Sequence, residues 1–423
     1  MKKILIISPH YPPSNLAAVH RSRLFAQHLP TFGWEPVILT VDEEYYEEAL
    51  DWNLHKLLPR DQRVEKVKAF RITKPRLIGD IGLRAFIQLR RKALHLVQNE
   101  QIDFVYIPIP SFYISLIGPY LNRKTGVQYG IDYIDPWVHQ FPGSDKTFSR
   151  HWWSTRLAKW LEPKAVKHAV LITGVAEGYY TAVLERNPQL RESCVVGAMP
   201  YGGEASDHEG LKALLLQPYL FQKNRKFQLV YAGAMLPKAY APLEAIFQSI
   251  ASNNEQFREV EFHFIGTGKT THDESGHNIK PLAEKYGLWQ TVVFEYPKRI
   301  PYLDVLIHLD ATDAVFILGS TEPHYTPSKT YQGVLSKKPI LAILHQQSTA
   351  VDIVRSANAG KVLAFNGEQG VAEINNQFNQ LFKDFLAFSR SYLPEQVNTT
   401  VFNQYSAKEV TRKLAALLEE AVK

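Results

Sequence analysis

One cysteine, Cys194, in 423 residues excludes an intrachain disulfide framework and any metal site built from several cysteines. A reducing cytoplasm fits that scarcity best. Long apolar runs are missing as well: no stretch reaches the ~18 to 20 apolar residues a bilayer-spanning helix needs, so membrane association, if any, is expected to be peripheral. The segment Met1 to Ser8 has too short an apolar core for a signal peptide, and it runs into His10-Tyr-Pro-Pro13 without a small-residue cleavage site. It reads as a first strand. No internal repeat is present, which argues against a solenoid. No recognition-helix, zinc-finger or aromatic single-strand-binding signature accompanies the net charge of +6, so nucleic acid is not expected as a partner. The charge still admits anionic lipid and phosphorylated small molecules. No metal-ligand cluster stands out, and no metal is expected.

The hydrophobic content of 45% is enough for large buried cores, and the length suits two or three domains. Short β-rich runs alternate with helical stretches. Ile4 to Ser8 reads as a strand, Ala17 to Leu29 as an amphipathic helix, and Glu35 to Thr40 as a second strand after a helix stop at Gly33. Asp103 to Ile109, Gly126 to Asp132 and Val170 to Thr173 continue the rhythm. A break at Met199-Pro-Tyr-Gly-Gly203 and a polar segment through Lys226 follow, and the pattern restarts with Phe227 to Ala232. The expectation is an α/β chain of two successive parallel-sheet domains, residues 1–200 and 201–396. A helical tail, 397–423, is expected to pack back on the first.

The stretch Glu322 to Pro339 lies between two apolar runs of buried-strand length, Ala314 to Leu318 and Pro339 to Leu344. Ser328 is placed to cap a helix that begins with Lys329. In open α/β sheets ligands bind beyond the carboxyl ends of the strands, so Glu322 and Ser328 to Gln332 stand where a nucleotide would lie; an ordinary strand-loop-helix connection is the other reading. Gly266-Thr267-Gly268-Lys269 also follows a strand. It lacks the full phosphate-loop spacing, and donor binding and a plain turn both fit it.

Three motifs in sequence order carry a family likeness: His10-Tyr-Pro-Pro13 with Gly33-Trp-Glu-Pro-Val-Ile-Leu-Thr40, Asp132-Tyr-Ile-Asp135-Pro136-Trp137, and Pro327-Ser-Lys329-Thr-Tyr-Gln332 with Lys338-Pro-Ile-Leu341. The chain resembles bacterial glycosyltransferases of the large retaining family numbered four, in the polysaccharide-biosynthesis branch. The resemblance implies the GT-B architecture, two Rossmann-like domains facing across a cleft, with the acceptor on the first and a nucleotide-sugar donor on the second. It implies no cofactor beyond that donor, which is a substrate, and it implies a glycan or lipid-linked acceptor.

The resemblance also distributes roles. Lys329, Gly233 and Lys238 would face the diphosphate, and Gly266 and Thr267, by their place after a strand, and Ser328, by its place at a helix start, are counted with them on the donor side. Glu322 matches the first carboxylate of the family's paired-glutamate motif, beside the transferred sugar, although strict spacing counted back from Gln332 lands on His324. Gln332 stands where the family has a ribose-binding glutamate. Asp132 and Asp135 follow the central strand of the first domain, and either would orient or deprotonate an acceptor hydroxyl or else cap the next turn. Arg21, Trp137 and His139 complete the acceptor side. The loop Ser14 to Ala18 lacks the glycines that many relatives have there. A rival reading is a catalytically silent GT-B relative that acts as a binding or scaffold subunit.

Two basic amphipathic stretches complete the inventory, Leu83 to Val97 and Arg150 to Lys167. The second holds Trp152, Trp153 and Trp160, which are expected to be buried, with Pro163 interrupting a long helix. Contact with an anionic membrane at the inner face of the cell membrane is the alternative use of these faces.

Overall fold

The computed structural model describes residues 1–73, 78–138, 146–214, 216–268, 276–323 and 325–423. The chain divides into two compact units, Met1–Tyr201 with Ala407–Lys423, and Gly202–Ser406.

The strands of the first unit are β1 (Lys2–Ile7), β2 (Trp34–Val41), β3 (Arg63–Val67), β4 (Phe104–Ile109), β5 (Gln128–Tyr133), β6 (Leu171–Gly174) and β7 (Val195–Ala198). They form one sheet in the order β3-β2-β1-β4-β5-β6-β7, and every pairing is parallel. A parallel sheet is covered on both faces, so its strands are apolar runs without alternation. Ile4, Leu5, Ile6 and Ile7 are all fully buried. The longer helices are α1 (Ala17–His28), α2 (Phe86–Asn99), α3 (Ile117–Thr125), α4 (Arg150–Val166) and, from the far end of the chain, a last helix at Ala407–Ala421. Gly33, at φ +84°, is in the left-handed region that ends the first helical passage and turns the chain into β2.

One face of this sheet packs Leu89, Ala93 and Leu96 of α2 with Ile117 and Leu121 of α3. On the other face Phe25 of α1 and Trp34 meet Val410, Leu414 and Leu418 of the last helix. Residues 397–406 do not join that helix but belong to the second unit, where Asn398 N–H donates to the Ala357 carbonyl at 2.8 Å.

The second unit has β8 (Phe227–Ala232), β9 (Val260–Ile265), β10 (Val293–Tyr296), β11 (Ala314–Leu318), β12 (Ile340–His345) and β13 (Gly360–Phe365), in the order β10-β9-β8-β11-β12-β13, again all parallel. Its helices include α5 (Tyr240–Ala251), α6 (Tyr302–Ala311), α7 (Lys329–Leu335), α8 (Thr349–Ser356) and α9 (Val371–Arg390). Ile374, Phe378, Phe382 and Phe385 form the buried stripe of α9 at helical spacing, and they pack on Phe257 and Phe262. Each such phenylalanine stabilises the unit by about 1.5–3 kcal/mol through burial.

Each sheet reverses its winding once. In the first the reversal lies between β1 and β4, and in the second between β8 and β11. At such a point the loops leaving the two strands part to opposite faces and open a crevice at their carboxyl ends.

Candidate active site

At the reversal in the second sheet, the loop after β8 begins with Gly233 and the loop after β11 leads into α7. Gly233 sits at φ +127°, and a Cβ there would come within 3.3 Å of Lys329 Nζ. Its N–H donates to the Ile265 carbonyl at 2.8 Å, so Gly233 contributes space rather than a free donor. The ammonium of Lys329 lies 3.4 Å from the centroid of the Tyr231 ring. Although the stem reaches the surface, Nζ is buried without a hydrogen-bond partner. Burial pushes its pKa well below the usual lysine value, since no anion offsets the lost hydration. Ser328 occupies the N-cap position in a helical conformation and its hydroxyl makes no capping bond, contrary to expectation. With only seven residues in α7, the lysine rather than the helix end supplies the positive charge.

Lys238 Nζ is 3.6 Å from the Glu322 carboxylate, and the Lys238 carbonyl accepts from Thr321 N–H at 3.1 Å. The two loops are thereby tied together, with Glu322 partly exposed at their edge. Gln332, one turn beyond Lys329 on α7, pairs its Oε1 with His208 Nε2 at 2.8 Å. The carbonyl oxygen of Gln332 is therefore occupied by His208.

On the neighbouring strand, the loop after β9 is closed on itself. Gly266 and Gly268 donate their N–H groups to the carbonyls of Tyr296 and Pro297, at 2.8 and 2.9 Å. Thr267 is buried and its hydroxyl donates to Glu295, a carboxylate that also accepts the N–H groups of Asn278, Ile279 and Lys280. The N–H groups of Gly266 and Gly268 and the hydroxyl of Thr267 are thus spent on protein partners, which favours the plain-turn reading of this loop over donor binding. A groove of about 470 Å³ opens beside it, between Tyr219–Leu220 and the segment from Glu295 to Pro301. Lys269 and His324 lie outside the described residues.

In the first unit the expected residues separate. Arg21 and Asp132 form a two-pronged pair, Nε to Oδ2 at 2.5 Å and Nη2 to Oδ1 at 2.9 Å, with both side chains 0% exposed. Arg21 Nη1 also donates to the carbonyls of Met199 and Pro200, and Asp132 Oδ1 accepts from the Thr173 hydroxyl, which accepts in turn from Tyr106. These groups brace α1, β5 and β6 from inside. No acceptor can reach them, so the catalytic expectation for Asp132 and the acceptor-binding one for Arg21 give way to an architectural role. Trp137 is likewise core: it is buried and stacks on Phe112 at 5.9 Å and 4°. Asp135, beyond the end of β5, is exposed to solvent. Surrounding protein desolvates its carboxyl and pushes its pKa up to about 6. His139 lies outside the described residues.

No protein-family model matches the chain, and no curated protein matches it in sequence. Solved structures do match in shape. A glycosyltransferase from Rickettsia africae superposes with a TM-score of 0.64 at 15% identity, over 100% of this chain and 99% of that one. Anabaena HepE, in complex with UDP and glucose, gives 0.64 at 14% identity, over 99% and 100%. Sucrose-phosphate synthase from Thermosynechococcus elongatus gives 0.62 at 12% identity, over 99% of both chains. The chain has the GT-B fold.

Within this GT-B chain several polar groups escaped the sequence reading. His208 on Gln332, Tyr231 under Lys329, and a histidine-carboxylate contact between His10 and Glu48 all join residues distant in sequence. In the sequence His10 is part of a loop motif, and no spacing points from it to Glu48. The Arg150–Val166 helix also departs from expectation. It runs through Pro163, and Trp153 and Trp160 are 56% and 61% exposed, with Lys164 over the Trp160 ring. No helix among the described residues is long and apolar enough to cross a membrane, and no cluster of three or more His, Cys, Asp or Glu among them could hold a metal.

Proposed function

We propose that the protein is a glycosyltransferase that moves a sugar from a nucleotide-sugar donor to a glycan or lipid-linked acceptor, with retention and without a metal, in cell-surface polysaccharide synthesis. The observation that carries this reading is the unpaired, buried ammonium of Lys329 against Gly233 at the sheet reversal. A buried cation without a partner is costly, and an anionic diphosphate beyond the strand ends would supply the missing charge. A departing nucleoside diphosphate needs such stabilisation most, because charge accumulates on it as the sugar leaves. The presence of UDP and UDP-glucose in HepE structures makes UDP-glucose the first donor to test.

In this reading the second unit holds the donor, and Glu322 supports positive charge at the anomeric carbon while Lys238 positions it. The first unit holds the acceptor, with Asp135 accepting a hydrogen bond from one of its hydroxyls. The exposed tryptophans and basic residues of α4 suit an anionic membrane surface at the cytoplasmic face, where a lipid-linked acceptor is displayed.

The test is calorimetry with UDP and UDP-glucose, followed by an assay of UDP release. Binding together with slow hydrolysis supports the proposal, and Glu322→Gln should then lower turnover far more than affinity. A second reading, a silent binding subunit, draws on the occupied Gln332 carbonyl. Tight nucleotide binding with no release from any nucleotide sugar would select it.

A further inference from the structure

We propose that His308 is a proton-released clasp: while neutral it holds residues 218–221 against α6, and uptake of one proton at Nε2 frees that strap and removes a wall of the groove beside the β9 turn. The inference concerns the second unit alone and does not depend on the reaction proposed above.

The strap is the stretch of chain that leads toward β8. Tyr219 and Leu220 form one side of the groove of about 470 Å³, and the segment from Glu295 to Pro301 forms the other. Beyond the strap the chain is tied down without any histidine. Gln228 Nε2 donates to the Gln222 carbonyl at 3.0 Å, Lys223 pairs with Asp313, and Asn224 Nδ2 donates to Glu261 at 3.0 Å. Release at His308 therefore frees a short flap and leaves its far end anchored.

His308 lies in the last turn of α6 and is fully buried. Its Nδ1 is 2.6 Å from the Asp304 carbonyl one turn back, and a carbonyl only accepts, so Nδ1 carries the hydrogen. The lone pair is thereby fixed on Nε2. Into it point two successive backbone donors, Tyr219 N–H and Leu220 N–H, each at 3.1 Å. Side chains close around the joint: the Tyr219 ring stands edge-on to the imidazole at 5.1 Å and 85°, and its hydroxyl donates to Asp304 Oδ2 at 3.1 Å. The buried Phe221 ring is 5.6 Å from His308 and 4.3 Å from His263.

An imidazole held in this way cannot take a proton and keep the strap. Nε2–H would meet two N–H groups head-on, and both backbone donors would be left buried without an acceptor. A change of tautomer brings no relief, because the Asp304 carbonyl already claims the other hydrogen. With the strap withdrawn, Nε2–H and the two amides reach water.

The surrounding charges leave His308 as the group that titrates first. On its own helix Asp304 favours the imidazolium, yet burial outweighs it and pushes the pKa below the ordinary histidine value. From the strap and its continuation come Tyr219, Lys223 and Lys226, from β9 Glu261 and His263, and from β10 Tyr296; Lys223 is paired with Asp313, and Lys226 with Glu261 at 3.5 Å. Burial pushes His263 down to about 4, so it stays neutral at pH values where a freed His308, near the ordinary value of about 6.5, takes a proton. The hold on the strap is thus fully present above about pH 6.5 and is lost as pH falls through the depressed value of the closed state.

The test is hydrogen exchange on the full chain, with peptides covering residues 217–222 normalised at each pH to an unfolded peptide of the same sequence. Protection of the strap should fall about fivefold to tenfold from pH 7.5 to pH 5.5, while peptides from β11 and β12 keep theirs. His308→Gln retains an acceptor oxygen near the Nε2 position and takes no proton, so its strap should exchange equally at both pH values. His263→Gln should keep the slope of the parent. Constant strap protection in the parent overturns the proposal, as does a slope that survives in His308→Gln or vanishes in His263→Gln. Thermal unfolding at both pH values identifies a variant that has lost its fold, in which case the parent profile and the remaining variant decide. None of these readouts involves a nucleotide sugar, so a failure here leaves the glycosyltransferase reading standing.

Discussion

The two units treat buried charge in opposite ways. In the first, the buried guanidinium of Arg21 meets the buried carboxylate of Asp132 prong for prong, and the remaining lone pairs and protons go to Thr173 and two backbone carbonyls. In the second, the buried ammonium of Lys329 has an aromatic face and a glycine beside it and no anion at all. Burial alone does not tell a structural charge from one that awaits a ligand. Accounting for partners does, because a matched pair loses energy when either member is removed, whereas an unmatched charge is a cost the fold carries for something else.

The largest effect should come from breaking the matched side. Asp132→Ala strands Arg21 in the core and should destabilise the first unit by about 3–5 kcal/mol, read from denaturant unfolding. A loss below ~1 kcal/mol would mean that the pair is not load-sharing as its geometry indicates. On the unmatched side the sign reverses. Lys329→Met should leave stability unchanged or raised, yet weaken UDP binding about tenfold to a hundredfold, as measured by calorimetry. The same variant carries a pH signature. Burial depresses the Lys329 pKa in the folded state, so the unfolded chain binds the extra proton between that value and the ordinary lysine range. Stability from this group is fully present above the unfolded pKa and is lost as pH falls through the folded one, and Lys329→Met should flatten that slope.

A smaller effect sharpens the acceptor side. With its carboxyl pushed up to about 6, Asp135 accepts hydrogen bonds well only above that pH. Acceptor KM should rise up to tenfold per pH unit as pH falls below it, and Asp135→Asn should abolish the dependence. An unchanged profile in that variant would remove Asp135 from the site. The smallest change is expected for Gln332→Glu. A charged acceptor doubles the strength of a hydrogen bond to ribose, but His208 competes for the new carboxylate, so UDP affinity should rise only a few-fold. A 2′,3′-dideoxy nucleotide should show no gain, and equal affinities of both proteins for both nucleotides would place Gln332 away from the sugar.

The fold was legible because parallel strands announce themselves as uninterrupted apolar runs. Phe227–Ala232 and Ala314–Leu318 have the bounds the sequence indicates. Strands such as Arg63–Val67 at a sheet edge, with charged residues in its register, left no such mark. Side-chain roles were harder to see, and for a consistent reason. Asp132 and Trp137 sit in a motif that can be quoted, but whether they face a ligand or the core depends on Arg21 and Phe112, which lie 111 positions and a whole strand away. The tryptophans of α4 misled in the other direction. Large apolar side chains usually go inside, yet Trp153 and Trp160 remain outside on a helix that continues through Pro163.

The helix at Ala407–Ala421 also sets the order in which the protein is made. It covers Phe25 and Trp34, residues translated near the beginning, and it leaves the ribosome only after the whole of the second unit. At ordinary elongation rates that interval is roughly 10 to 40 seconds. Through all of it the part of the N-terminal sheet's face that this helix covers, beside α1, stays open, so a nascent chain stalled between the units presents an oily groove to chaperones and proteases, and the first unit matures second.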